Sequence, residues 1–137
     1  MGRLNVELNR LKLSNPILVA SGTFGYAREM QAFVPFGRIG GIIPKTITPL
    51  PRMGNPPPRT VETASGMLNS IGLANPGIDR FLAEVLPWLL DLGPPVWVSV
   101  GGFSAEDYAV SCARLDATGA AVLELNLSCP NVAAPED

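Results

Sequence analysis

The sequence predicts an α/β fold in which helices cover a parallel β-sheet. Short apolar segments without polar alternation recur along the chain, and helix-like segments lie between them. Each apolar segment runs into polar or glycine-rich residues. Hydrophobic residues make up 47% of the 137 residues and charged residues 16%, which indicates a chain that buries much of itself rather than a disordered one.

The first element is predicted to be a β-hairpin. Apolar and polar residues alternate over 4–8 and again over 11–13, which is the pattern of two half-exposed strands. A turn at 14–16 follows, and then residues 17–20 are predicted to be a short buried strand.

Residues 27–36 are predicted to be helical. Met30, Phe33 and Val34 would share one face at helical spacing. A second buried strand is expected over 40–43. The next segment, 49–66, contains five prolines and is predicted to be a long irregular loop, and such loops in compact domains are usually functional.

A strong helix is predicted to begin at Asn75 and Pro76, a residue pair typical of a helix N-terminus. Pro87 should kink this helix or begin a new turn, because proline lacks the backbone N–H of the helical ladder. The mostly apolar residues 96–100 are predicted to be the third buried strand.

The next helix should begin after Ser104, which is a good N-cap residue and precedes two acidic residues. Its inner face would carry Tyr108, Cys112 and Leu115, and residues 121–125 would form the fourth strand.

A hairpin followed by four strand–helix units is typical of the N-terminal half of a (β/α)₈ TIM barrel, which has eight strands and about 250 residues. Residues 1–137 are therefore interpreted as the N-terminal half of a single barrel domain. No G-x-G-x-x-G motif follows a strand, which weakens the dinucleotide-binding alternative.

The composition excludes several function classes. A net charge of -2 predicts neither a nucleic-acid partner nor a membrane-surface partner. No apolar run is long enough to cross a bilayer, and no signal segment is seen, so a cytoplasmic location is expected. Histidine is absent and the two cysteines form no C-x-x-C motif, so no metal site is predicted.

The candidate reactive residue is Cys129, between the carboxamides Asn126 and Asn131 just after the fourth strand. Its reference pKa of about 8.5 would allow it to act as a general base, although a lone cysteine is more often inert and buried. Lys45 follows the second strand and could neutralise an anionic ring or carboxylate, or could simply lie at the surface. Asn69 is a third carboxamide suited to an amide ring, or a turn former.

Five motifs stand in order along the chain: NPILVASGTFGY at 15–26, KTIT at 45–48, GNPPPR at 54–59, MLNSIGLANPG at 67–77 and NLSCPN at 126–131. Together they resemble family 1 dihydroorotate dehydrogenases, and the second and third look most like the NAD-linked branch.

The resemblance implies an FMN-dependent oxidation of dihydroorotate to orotate in pyrimidine biosynthesis. Cys129 would remove the C5 proton while hydride leaves C6 for FMN. The residues implied in substrate binding are Lys45, Asn69, Ile71, Gly72, Leu73, Asn126 and Asn131. Those implied in flavin binding are Ala20, Ser21, Gly22, Lys45, Thr46, Ser99 and Asn126, with Ser99 at a position where many NAD-linked relatives have asparagine.

The resemblance also implies a homodimer and a second subunit that carries FAD and a [2Fe–2S] cluster. Two alternatives stay open. One is a dihydropyrimidine dehydrogenase-like flavoenzyme, against which Asn131 argues because those relatives tend to have histidine there. The other is a truncated or inactive half-barrel that serves only as a binding or assembly module.

Overall fold

A computed structural model describes residues 4–129. The predicted N-terminal hairpin is confirmed: β1 (Val6–Leu8) pairs antiparallel with β2 (Leu11–Leu13). Val6 lies opposite Leu13 in this register, and the inward-facing Leu13 is buried.

The two predicted strands that follow are shorter than expected. Instead of continuous ladders, the structure has isolated parallel bridges that join Leu18 to Gly41 and Ile42 to Val96. Asn15 holds the chain just before them, because its carboxamide donates to the carbonyl of Arg38 and accepts from the amide of Ile17. The bridges nevertheless place these segments side by side in chain order.

The predicted helix over 27–36 is wrong. Only two 3₁₀ turns form near it, Arg28–Met30 and Phe36–Arg38. Ala27 adopts a left-handed backbone with φ of 68°, and Pro35 cannot donate to a helical ladder, so a regular helix is interrupted at both ends. Phe33, expected on the inner face, is 77% exposed.

A second hairpin begins inside the predicted irregular segment 49–66 and extends beyond its end. β3 (Thr60–Thr63) pairs antiparallel with β4 (Gly66–Asn69), and every residue of both strands is exposed. A strand with no buried face has no need of apolar alternation, which explains why the sequence pattern did not indicate it.

The helix predicted to begin near Asn75 is present, but it has three parts. α1 (Gly77–Arg80) runs into a π-helical turn over Phe81–Val85 and then into α2 (Leu86–Leu90). The N-cap position is Pro76, one residue later than predicted, and it has no side-chain cap hydrogen bond. The side chain of Asn75, just before it, accepts a hydrogen bond from the amide of Gly77 at 2.9 Å. The wider turn precedes Pro87, whose ring would clash with the regular helical ladder.

The last three elements agree with the sequence. β5 (Trp97–Val100) and β6 (Val122–Leu125) pair in parallel, and α3 (Ala105–Asp116) connects them. Ser104 caps α3, because its hydroxyl accepts from the amide of Asp107 at 3.1 Å.

One hydrophobic core lies among β5, α3 and the α1–α2 segment. Leu115 is buried in it, and Tyr108 and Cys112 pack against it, so the predicted inner face of α3 is confirmed. The largest fully buried apolar side chains are Phe81, Ile42, Ile47, Ile78, Leu89, Leu115, Val96, Val98 and Val100.

Candidate functional site

A cavity of about 430 Å³ lies where several strands and loops end. It brings together nine of the side chains or backbone positions that the sequence singled out, from segments far apart along the chain. These nine are Ser21, Gly22, Lys45, Thr46, Asn69, Ile71, Leu73, Asn126 and Cys129.

The cavity is built by the ends of the parallel segments and by the exposed hairpin. Lys45 and Thr46 follow the buried residues 41–44, and Asn126 follows β6 directly. Asn69 is the last residue of β4. Because parallel strands end on the same side of a sheet, residues that follow them converge.

Lys45 lies beside the backbone of Gly22. Gly22 has a φ of +85°, and a Cβ placed on it would stand 3.5 Å from Nζ of Lys45. The backbone amide of Lys45 donates to the carbonyl of Gly25, which fixes where its side chain begins. Within residues 4–129 no carboxylate forms an ion pair with Lys45, so its ammonium group is available to an anionic ligand.

Thr46, Ser99 and Asn126 form a hydrogen-bonded group at the cavity wall, in which Ser99 lies behind the two lining residues. Oγ1 of Thr46 lies 2.9 Å from Oγ of Ser99, and Nδ2 of Asn126 donates to Oγ1 of Thr46 at 3.1 Å. Ser99 is fully buried and does not line the cavity, so its contact here is with Thr46.

Asn126 also organises the turn toward Cys129. Its backbone amide donates to the carbonyl of Val100 at 2.8 Å, which extends the pairing of β5 with β6 by one hydrogen bond. Its Oδ1 accepts from the amide of Ser128 at 3.4 Å. The half-buried Cys129 then comes to the cavity wall.

The 71–73 segment reaches the cavity in an unusual backbone conformation. Gly72 and Leu73 both have positive φ, 73° and 54°. Gly72 is buried against Asn55, and its flanking residues Ile71 and Leu73 line the cavity. The amide of Asn55 donates to the carbonyl of Ile71 at 3.0 Å, and its Nδ2 donates to the carbonyl of Ser70 at 3.0 Å.

Ala20 and Asn131 are the two remaining candidates. Ala20 is exposed and does not line the cavity, although its carbonyl accepts from the amide and hydroxyl of the cavity residue Thr23. Asn131 lies outside the described residues.

Four cavity residues were missed by the sequence reasoning: Thr23, Thr60, Met67 and Ser128. Thr23 and Ser128 are next to predicted site residues in the same motifs, and that adjacency could have identified them. Thr60 and Met67 belong to the exposed hairpin, which gave no apolar pattern, although Met67 also lies in the motif at 67–77 two residues before Asn69.

The part of the chain that the structure describes contains no cluster of three or more His, Cys, Asp or Glu side chains that could hold a metal ion. Over the same residues, every helix is too short or too polar to cross a membrane.

The cavity therefore combines a thiol, an ammonium group and two carboxamides around one space. A thiol can take up a proton, an ammonium group can neutralise a carboxylate or an electron-rich ring, and carboxamides can bind both donors and acceptors of a planar ring. This set suits a small, polar, anionic substrate.

Comparison with known proteins gives a consistent result. The model of the family described as dihydroorotate dehydrogenase matches residues 3–137. The dihydroorotate dehydrogenase B (NAD(+)) catalytic subunit of Listeria monocytogenes is 48% identical over 133 residues, which are 96% of this chain and 44% of that protein. The corresponding subunit of Thermoanaerobacter pseudethanolicus is 46% identical over 129 residues, 94% of this chain and 43% of that protein.

A solved structure is also similar. The crystal structure of DHODH from Eimeria tenella in complex with ferulenol superposes with a TM-score of 0.70 at 25% identity, over 94% of this chain and 38% of that one. This chain thus spans less than half the length of the relatives that it matches. On the match to the family model and the identity to these relatives, the chain belongs to the dihydroorotate dehydrogenase family, whose fold is a TIM barrel.

Proposed function

We propose that residues 1–137 form the N-terminal half of an FMN-binding barrel domain that oxidises dihydroorotate to orotate. The observation that carries this proposal is the meeting of Cys129, Lys45, Asn69 and Asn126 around one cavity. The membership of the chain in the dihydroorotate dehydrogenase family supports the same substrate.

In this proposal Cys129 is the base. Its thiolate removes the proton from C5 of dihydroorotate, and a hydride leaves C6, so that the C5=C6 double bond of orotate forms. The cysteine is half-buried at the cavity wall, where it can both contact a bound ring and exchange its proton.

The substrate has a carboxylate and a ring with amide and imide groups. Lys45 offers the positive charge for the carboxylate or for the electron-rich ring system beside it. Asn69 and Asn126 offer donors and acceptors for the ring, together with the backbone of Ile71 and Leu73. We assign Gly72 the role of holding this backbone, and Asn131 remains a proposed substrate contact.

The residues present fit a flavin. Gly22 lacks the Cβ that would stand between its backbone and the ammonium of Lys45, so a flat ring can approach both. Ser21, Thr46 and Asn126 add polar groups around this space, and Ser99 supports Thr46 from behind. Ala20 is a proposed neighbour of the ring through its backbone. FMN, when bound, supplies the acceptor for the substrate's hydride.

The electron acceptor and partners are also proposed from the relatives. Because two of them are named as NAD(+)-linked catalytic subunits, we propose that a second subunit receives the electrons, with FAD and a [2Fe–2S] cluster as its carriers. A homodimer of the catalytic subunit is part of the same proposal.

The test uses the intact protein that carries this chain, in three forms: wild type, Cys129→Ala and Cys112→Ala. Flavin reduction by dihydroorotate is followed anaerobically by stopped-flow absorbance. We expect Cys129→Ala to slow flavin reduction by at least about 100-fold, since general-base catalysis contributes that much. Cys112 packs against the core on α3, away from the cavity, and its variant is the control for loss of a cysteine as such.

Equal rates of flavin reduction in the wild type and Cys129→Ala would show that Cys129 is not the base. A wild type that oxidises dihydrouracil faster than dihydroorotate would replace the proposed substrate with a dihydropyrimidine.

A further inference from the structure

Tyr108 joins α3 to the residue at which the chain leaves β6. Its hydroxyl donates to the backbone carbonyl of Asn126 at 2.6 Å, although the two residues are 18 positions apart. The ring of Tyr108 packs against the hydrophobic core, and this packing fixes the position of the hydroxyl.

Every polar group of Asn126 is used. The amide donates to β5, Nδ2 donates to Thr46, and Oδ1 accepts from the amide of Ser128. The carbonyl is the fourth group, and Tyr108 supplies its hydrogen bond. The short distance indicates a well-formed bond between a hydroxyl and a carbonyl.

Within residues 4–129, the segment between Asn126 and Cys129 has few other contacts that hold it. Leu127 is 77% exposed and Ser128 is exposed as well, so apolar packing contributes little to its position. The hydrogen bonds of Asn126 therefore decide the direction in which the chain runs to Cys129. The carbonyl of Asn126 belongs to the peptide plane that begins this run, and fixing that plane orients the following residues.

We propose that Tyr108 is a positioning residue for the thiol of Cys129. It lines a neighbouring cavity of about 260 Å³ that also contains Cys129, and it is absent from the lining of the larger cavity where the substrate would bind. It therefore acts on the thiol through the backbone of Asn126. This inference rests on the proposed function, in which Cys129 is the base.

The test compares Tyr108→Phe with Tyr26→Phe in the intact protein that carries this chain. Tyr108→Phe keeps the ring that packs on the core and removes one hydroxyl. Tyr26→Phe is the matched control, because the Tyr26 hydroxyl is buried and has no hydrogen-bond partner among residues 4–129.

The first readout is amide hydrogen exchange, which needs neither substrate nor flavin. In Tyr108→Phe we expect the amides of Asn126 and Ser128 to exchange about three- to tenfold faster, as the loss of one hydrogen bond predicts. In Tyr26→Phe they should exchange at the wild-type rate.

The second readout is the rate of flavin reduction, measured together with the dissociation constant for dihydroorotate. We expect Tyr108→Phe to lower the rate about three- to tenfold and to leave the dissociation constant within about twofold, since only the placement of the base changes. A purely structural role would lower the melting temperature and leave the rate of the folded enzyme unchanged.

Unchanged exchange at Asn126 and Ser128 would overturn the inference, and so would faster exchange with an unchanged rate of flavin reduction. Failure of the proposed function is a separate result, because it would appear as equal activity of the wild type and Cys129→Ala. In that case the exchange readout still decides whether Tyr108 holds this segment.

Discussion

The hydroxyl oxygen of Thr46 lies 2.9 Å from that of Ser99, and both are buried although 53 residues separate them in the sequence. Asn126 joins the same group by donating to Thr46. Side-chain hydrogen bonds thus connect three neighbouring parallel segments at the wall of the candidate site. These three side chains satisfy one another's hydrogen bonds in the cavity wall. Removing a hydrogen-bonding group from any of them should therefore lower the free energy of unfolding.

Thr46→Val should destabilise the protein. Valine has nearly the same shape but has no hydroxyl, so Ser99 and the Nδ2 of Asn126 each lose their partner in a buried region. We expect the free energy of unfolding in urea to fall by about 2 kcal/mol. Adding Ser99→Ala to Thr46→Val should recover part of the loss, because it removes one of the unpaired groups. Strict additivity of the two variants would contradict the contact between them.

Gly72→Ala should lower stability, whereas Gly66→Ala should not. Gly72 has a φ of +73°, and a Cβ there would lie 2.6 Å from Oδ1 of Asn55. Both backbone strain and steric overlap oppose alanine, so we expect a loss of about 2 kcal/mol. Gly66 has no heavy atom within 4 Å of the same position and serves as the control. The comparison is made by urea denaturation, and equal midpoints would disprove the close packing of Asn55 on Gly72.

Phe81→Ala should cost about 3–5 kcal/mol of unfolding free energy, because the side chain is completely buried in the core. Phe33→Ala is the control, since Phe33 is 77% exposed, and it should change stability by no more than about 0.5 kcal/mol. A large loss in Phe33→Ala would instead favour the helix over 27–36 that the sequence pattern suggested. Thermal unfolding followed by circular dichroism distinguishes the two outcomes.

Tyr26 should ionise late in an alkaline titration. Burial, and to a smaller extent the nearby carboxylate of Glu29, raise the pKa of Tyr26 from 10.0 to about 12. Tyr26 therefore stays protonated to a higher pH in the folded state than in the unfolded state. Below pH 10 its titration leaves the free energy of unfolding unchanged, and as the pH rises from 10 to 12 the free energy of unfolding falls. Tyrosinate absorbance in the wild type minus that in Tyr26→Phe isolates the group. A difference curve centred near pH 10 would refute the shift.

Patterns of neighbouring residues in the sequence were enough to predict α3, β5 and β6. The cap at Ser104 and the apolar face through Leu115 indicated α3, and mostly apolar runs indicated β5 and β6. Each of these depends on residues within a few positions of one another or on a continuous buried segment.

The conformation of residues 27–36 and the hairpin of β3 and β4 could not be predicted from neighbouring residues alone. The spacing of Met30, Phe33 and Val34 suits a helix, but the left-handed backbone of Ala27 directs the chain differently. The hairpin of β3 and β4 is exposed on both faces, so its sequence does not need the alternation of apolar and polar residues that indicates a half-buried strand.

By itself, the sequence determined which chemical groups are available and that Lys45, Asn126 and Cys129 follow apolar segments, whose ends meet because parallel strands bring them to one side of a sheet. That was enough to predict a site containing Cys129, Lys45, Asn69 and Asn126. Only the tertiary structure decided that Ser99 lies behind Thr46 rather than on the cavity wall, and that Asn55 holds Gly72. Such roles depend on distances of a few ångströms between residues that are far apart in the chain, and packing alone sets those distances.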